Sequence, residues 1–340
     1  IILKTSLNVK THLIWSSSLP VSTSFSLFAV IKYCQTKEHY LRRKQRKKRK
    51  KNTIFSISRN ALTLILTKSL EGCCVTIKNN ATTMLKLTIL GSGTSCGIPV
   101  IGCDCPVCTS TDPRDKRLRT SALIETSEGG TILIDCGPDF RQQMLRLPRA
   151  VRPDAVLLTH KHHDHVGGID DLRPFGWPDA VQIYADEDCA DDVRSRFPYS
   201  FVENKYPGVP NLELHTLHPL QSCRIAGTEV LPLPVMHGKL PILGFRIGGL
   251  VYITDISALP PEAVPYASGA SILVLGALRH KPHHSHETVE EACALAQRLQ
   301  ARDTYLIHMC HDMECHAEAE TRLPAHIHLA YDGLELVVEE

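Results

Sequence analysis

The stretch Thr159-His160-Lys161-His162-His163-Asp164-His165 constrains this chain more than any other. Four potential metal ligands, His160, His162, Asp164 and His165, fall within six residues. Alternate residues of an extended segment face the same way, so His160 and His162 point together. Asp164 and His165 then turn toward a second point in space. Asp154 to Leu158, just before, reads as a buried strand, and Val166 to Leu172, just after, as the start of a helix. The cluster therefore sits on a loop at a strand's end, where a metal site can be both rigid and open.

The same event recurs along the chain. Apolar runs that read as strands end in His237, in Asp255 and in His308. A lone histidine at a strand end is ordinarily a satisfied polar residue. Four such ends in one chain, around one metal motif, read as a site instead. Upstream, Thr120–Glu125 and Thr131–Asp135 flank Gly129-Gly130 and predict a hairpin. Asp135, at its end, suits a hydrogen-bond acceptor for a ligand histidine. Thr288 to Gln300 predicts a helix with Val289, Cys293, Ala296 and Leu299 on its apolar face.

Cys103-Asp104-Cys105-Pro106-Val107-Cys108 places three thiols in six residues, a spacing suited to structural zinc with a fourth ligand from elsewhere. A disulfide would leave one thiol unpaired. The Gly91–Pro99 loop lacks the spacing of a dinucleotide site. Its small residues predict close passage of the backbone past the metal centre or the substrate.

The net charge of +2 conceals two opposite halves. Residues 1–83 hold 16 Lys and Arg against 2 Asp and Glu, while 84–340 hold 22 against 34. The block Leu41 to Lys51 is almost wholly basic and must stay solvated. Residues 1–83 are therefore expected to be a disordered basic extension. It reads either as a tail for nucleic acid or another anionic surface, or as an upstream stretch outside the native protein. The folded domain is expected over 84–340. No run approaches the roughly 18 apolar residues of a membrane span, and no ordered signal-peptide pattern occurs. The thirteen cysteines are accordingly read as reduced, in a cytoplasmic protein without membrane partners.

His-x-His-x-Asp-His at a strand end resembles the metallo-β-lactamase superfamily. That resemblance implies an α/β (α+β) fold, an αββα sandwich of two mixed sheets covered by helices. It also implies that His160, His162 and His237 hold one divalent cation, that Asp164, His165 and His308 hold a second, and that Asp255 bridges them. Leu90-Gly91-Ser92-Gly93-Thr94-Ser95 and the three-cysteine cluster narrow the resemblance to PhnP-like cyclic phosphodiesterases, over about residues 84–340. In that branch a structural zinc takes Cys103, Cys105, Cys108 and His311, and the catalytic residues fall on His286 and on the metal ligand Asp164. The implied activity is hydrolysis of small, including cyclic, phosphodiesters by a hydroxide shared between two Zn²⁺ or Mn²⁺ ions.

Arg279 and Lys239 are candidate phosphate contacts, while His163, His283, His284, His326 and His328 read as surface or local structure. A transfer-RNA 3′-processing nuclease is an alternative, but the acidic 84–340 segment offers no basic arm for nucleic acid. Thioester or lactam hydrolysis, and a nucleic-acid-binding protein with structural metals, are further alternatives. A homodimer is left open.

Overall fold

The computed structural model describes residues 2–4, 10–12 and 83–339. Strands β1 (Ile2–Lys4) and β2 (Lys10–His12) pair antiparallel. The rest of the expected basic extension, apart from Thr83, lies outside the described residues. The strand expected at Met84 opens there.

Two seven-stranded sheets follow. The first contains β3 (Met84–Gly91), β4 (Ser121–Glu125), β5 (Thr131–Ile134), β6 (Ala155–Leu157), β7 (Val181–Ala185) and β8 (Leu212–Thr216). The second contains β9 (Cys223–Ile225), β10 (Thr228–His237), β11 (Leu240–Ile247), β12 (Leu250–Ile253), β13 (Ile272–Gly276), β14 (Asp303–Ile307) and β15 (Ile327–Leu329). The last strand, β16 (Glu335–Glu339), returns to the edge of the first sheet beside β3. Each sheet joins antiparallel strands to a parallel run, β5 to β8 in one and β12 to β15 in the other.

The helices are α1 (Pro106–Thr109), α2 (Phe140–Arg146), α3 (His163–Val166), α4 (Glu187–Arg196), α5 (Val264–Ala267), α6 (Val289–Leu299) and α7 (His316–Glu320). Alternation along the strands builds the layers. In β12, Leu250 and Tyr252 enter the core between the sheets, while Val251 and Ile253 face the outer layer with α6. In β5, Ile132 and Ile134 face the other sheet, and Leu133 packs outward with Phe140 of α2 and Val193 of α4. The expected αββα sandwich is what forms.

Helix α6 shows how local signals agree. Thr288 and Glu291 close a capping box, and Val289, Ala292, Cys293, Leu295, Ala296 and Leu299 are buried. Each buried leucine contributes about 1.5–3 kcal/mol.

One expectation needs correction. The helix expected from Val166 starts earlier, at His163, with Asp164 and His165 already inside α3. Gly167-Gly168 then breaks it, and a 3-10 helix, Ile169–Phe175, follows. The Gly91–Pro99 loop passes beside His308: Gly93 bridges to Met309, whose amide donates to the Ser92 carbonyl at 3.2 Å. A Cβ on Gly91 would lie 2.0 Å from the Arg119 carbonyl oxygen, and one on Gly93 would lie 3.0 Å from Arg117. The Thr94 amide donates in turn to the Met309 carbonyl at 3.0 Å.

Candidate metal centre

Parallel strands share a carboxyl edge, and crevices form outside it. Asp135 directly follows β5, His160 lies three residues past the end of β6, Asp255 two past the end of β12, and His308 directly follows β14. His237 closes β10. The five residues come from both sheets and reach one place.

Asp135, Asp255 and His308 have φ of 59°, 51° and 64°. A non-glycine residue adopts this left-handed region only against a steric cost. The chain thus turns abruptly at each strand's end and delivers the side chain inward. Close packing supports the turn at Asp135: a Cβ on Gly137 would lie 2.0 Å from the Asp164 carbonyl oxygen. Only glycine lets the two loops approach so closely.

Ligand atoms of His160, His162 and His237 lie within 4.8 Å of one another. So do those of Asp164, His165, Asp255 and His308. Asp255 also groups with His237 and His286, so its carboxylate stands between the two sets. Its Oδ1 is 3.2 Å from His308 Nε2 and its Oδ2 is 3.3 Å from His165 Nε2. His160 Nε2 and His162 Nδ1 are 3.0 Å apart, which fits neighbouring corners of a shell with legs of about 2.1 Å.

The opposite ring nitrogens are held by the protein. His165 Nδ1 donates to Asp135 Oδ2 at 2.7 Å, and His237 Nδ1 donates to the Ser285 carbonyl at 2.8 Å. His160 Nδ1 lies 2.9 Å from Thr159 Oγ1, whose own hydroxyl donates to Asp135. Each bond turns Nε2 toward the cluster. His165 Nε2 is fully buried and has no hydrogen-bond partner, although two carboxylate oxygens stand nearby. Buried carboxylates and imidazoles crowded in this way cost several kcal/mol each without a countercharge. The donor set therefore fits divalent cations.

Electrostatics follow the same geometry. Burial raises a carboxyl, but His165 and His308 outweigh it and hold Asp164 and Asp255 well below the usual carboxylate range. His165 is pushed well above the ordinary histidine value: burial opposes its charge, and Asp255, Asp135 and Asp164 together overcome that. Burial, joined by His165, pushes His160 well down. Burial likewise lowers His286 to about 3, against the pull of Asp255.

His286 stands at the edge of the cluster. Its Nδ1 is 3.9 Å from Asp255 Oδ1, and its ring stacks on His308 with centroids 5.1 Å apart. His283, read from sequence as surface or local structure, has its ring 5.1 Å from that of His286. The Arg279 guanidinium pairs with Asp312 at 3.2 Å and donates to the Lys281 carbonyl. Lys239 is exposed.

A second cluster lies apart from the first. The Sγ atoms of Cys103, Cys105 and Cys108 are 3.2, 3.6 and 3.6 Å from His311 Nδ1. A tetrahedron with metal–sulfur legs of about 2.3 Å and a metal–nitrogen leg of about 2.0 Å has such edges near 3.5 Å. The amide of Cys108 donates to Cys105 Sγ and draws that thiol down to about 7, while burial pushes Cys108 up to about 11. The four residues fit zinc.

The beta-lactamase superfamily domain matches residues 130–309 of this chain. A crystal structure described as a new diphosphatase from the PhnP family is 41% identical, with a TM-score of 0.70, over 75% of this chain and 98% of that one. The chain belongs to the PhnP family. The family places it among metallo-β-lactamase-fold hydrolases, which use divalent metal ions. A Porphyromonas gingivalis protein named octanoyltransferase is 44% identical over 257 residues, 75% of this chain. This PhnP-family chain spans 52% of that relative's length. Zinc-bound PqqB from Methylobacterium extorquens, at 19% identity and a TM-score of 0.60, shares the fold.

Asp135 offers a direct test of how the centre is held. Asp135→Asn keeps a residue that tolerates the left-handed backbone but weakens the acceptor for His165. It is expected to lower cation affinity about 10- to 100-fold in calorimetric titration of chelator-stripped protein. Unchanged affinity would mean that His165 is oriented by something else.

Proposed function

We propose that this chain hydrolyses small phosphodiesters, cyclic ones included, with two divalent cations held by His160, His162 and His237 and by Asp164, His165 and His308. The observation that carries this reading is the Asp255 carboxylate standing between both ligand sets, with the His286 ring 3.9 Å from it. The 41% identical relative described as a diphosphatase supports phosphorus–oxygen chemistry and makes phosphoric anhydrides a related substrate class. Histidine and carboxylate ligands suit either Zn²⁺ or Mn²⁺ in the working pair. Zinc suits the three-cysteine, one-histidine cluster.

When bound, the cations supply an activated water and offset phosphate charge. The protein's own residues do the rest. Asp135, Thr159 and the Ser285 carbonyl fix the ligand imidazoles, so little reorganisation is needed during the reaction. His286, neutral because of its burial, donates its ring N–H to the leaving oxygen as negative charge builds there. Its half-buried ring beside Asp255 shields that proton from bulk water.

His286→Gln tests this assignment. With an alkyl leaving group, kcat is expected to fall about 100- to 10,000-fold, with metal content unchanged. With p-nitrophenolate, which departs without protonation, the loss should be much smaller. Equal losses on both substrates would remove His286 from the proton step.

The Porphyromonas relative, of which this chain spans 52%, is named for octanoyl transfer, so acyl-group chemistry is the second reading to test. A panel setting octanoyl thioesters beside cyclic phosphates and diphosphates separates the two by kcat/KM.

A further inference from the structure

His286 is carried by a closed loop. The Leu278 amide donates to the Glu287 carbonyl at 3.0 Å, and the Val289 amide donates to the Arg279 carbonyl at 3.1 Å. Those bonds pin the two ends together. His280 stands in the outgoing leg of the loop and His286 in the returning one. From His280, Nδ1 meets Glu290 Oε1 of α6 at 2.6 Å, and Nε2 meets Glu314 Oε2 at 3.1 Å. Glu314 belongs to the segment between His311 of the cysteine cluster and α7. One imidazole therefore joins the loop to a helix on one side and to the cysteine-cluster segment on the other.

Both ring nitrogens face carboxylates, so both must donate, and only the imidazolium can do that. A neutral ring would set one lone pair against a carboxylate oxygen. The carboxylates address opposite nitrogens, which makes the trio a clamp and not a cation seat. The surrounding charges fit. Arg322 takes the other oxygen of Glu314 at 2.5 Å and also pairs with Glu318. Arg279 is occupied by Asp312, and Lys281 is exposed. His280 also lines a cleft of about 600 Å³ with Glu290, Glu314 and Arg322, so solvent protons reach it.

We infer that His280 is a positioning residue: as an imidazolium it latches the Arg279–His286 loop and sets the His286 ring against Asp255. The inference rests on the proposed role of His286 in proton delivery. Burial of His280 opposes its charge, but Glu290 and Glu314 overcome this and raise it above the ordinary histidine value. The sign follows. The latch is complete below about 6.5 and is lost as pH rises through the raised value. Turnover should therefore decline on the alkaline side through a group that touches neither substrate nor cation.

The test uses the full chain, metal-replete, with bis(p-nitrophenyl) phosphate and an alkyl phosphodiester. His280→Gln is expected to lower kcat on the alkyl ester about three- to tenfold at neutral pH, with KM and metal content unchanged. His280→Arg keeps two-sided donation without titrating. It should restore most of kcat and flatten the alkaline decline. Wild-type kcat in His280→Gln, or an unaltered alkaline limb in His280→Arg, would overturn the latch. Should His280→Gln fail to fold, Glu290→Gln and Glu314→Gln provide the same comparison. Amide exchange over 279–286, corrected for intrinsic pH effects, reads the loop without any turnover. The wild type should lose protection as pH rises, and His280→Arg should keep it. Absence of diester turnover in the wild type would defeat the functional reading, while the exchange result would still decide the latch.

Discussion

Asp164→Ala and His162→Ala are expected to abolish hydrolysis of bis(p-nitrophenyl) phosphate while the fold survives. Each removes a donor from one of the two ligand sets. Loss of a ligand outright should exceed the 10- to 100-fold effect of disturbing its support, so turnover should fall at least 1,000-fold. The fold should persist because neither residue belongs to the apolar layers, which are built by the strands and their covering helices. Circular dichroism checks the fold and elemental analysis the cation count. Retained turnover in either variant would remove that residue from the reacting centre.

Cys105→Ser carries the second large effect, on stability. Cys105 faces His311 across 206 positions of sequence, so a zinc there closes a very long loop. Losing it should cost about 3–5 kcal/mol and lower the melting temperature by roughly 10 °C. One zinc per chain should disappear. Turnover should fall less than in Asp164→Ala, because the ligand cluster remains. Unchanged zinc content by elemental analysis would sink the structural site.

The legible part of this fold lay in abrupt endings. Apolar strands that stop at His237, Asp255 or His308 are visible in one dimension, because a strand's length and its polar end are local properties. The three cysteines were legible for the same reason, and the hairpin around Gly129-Gly130 forms as expected. What remained hidden depends on distant partners. The clamp on His280 needs residues 10 and 34 positions away. Arg117, buried and bonded to Ala330, His316 and Ser92, looks in sequence like any surface arginine. Arg279 reads as a candidate phosphate contact, and its pairing with Asp312, 33 positions away, is not visible in one dimension. His283 reads in sequence as surface or local structure, and the closed loop brings its ring to within 5.1 Å of that of His286.

The left-handed residues at the strand ends have an evolutionary consequence. Asp135, Asp255 and His308 hold a backbone that glycine would adopt freely, at a cost of about 1–2 kcal/mol each. A descendant released from selection for turnover has an easy route to a sturdier protein, by exchanging these residues for glycine. A lineage that keeps them trades robustness for chemistry in every generation. Glycine at these three positions in a diverged copy would therefore mark a lost enzyme more reliably than changes elsewhere in the sandwich.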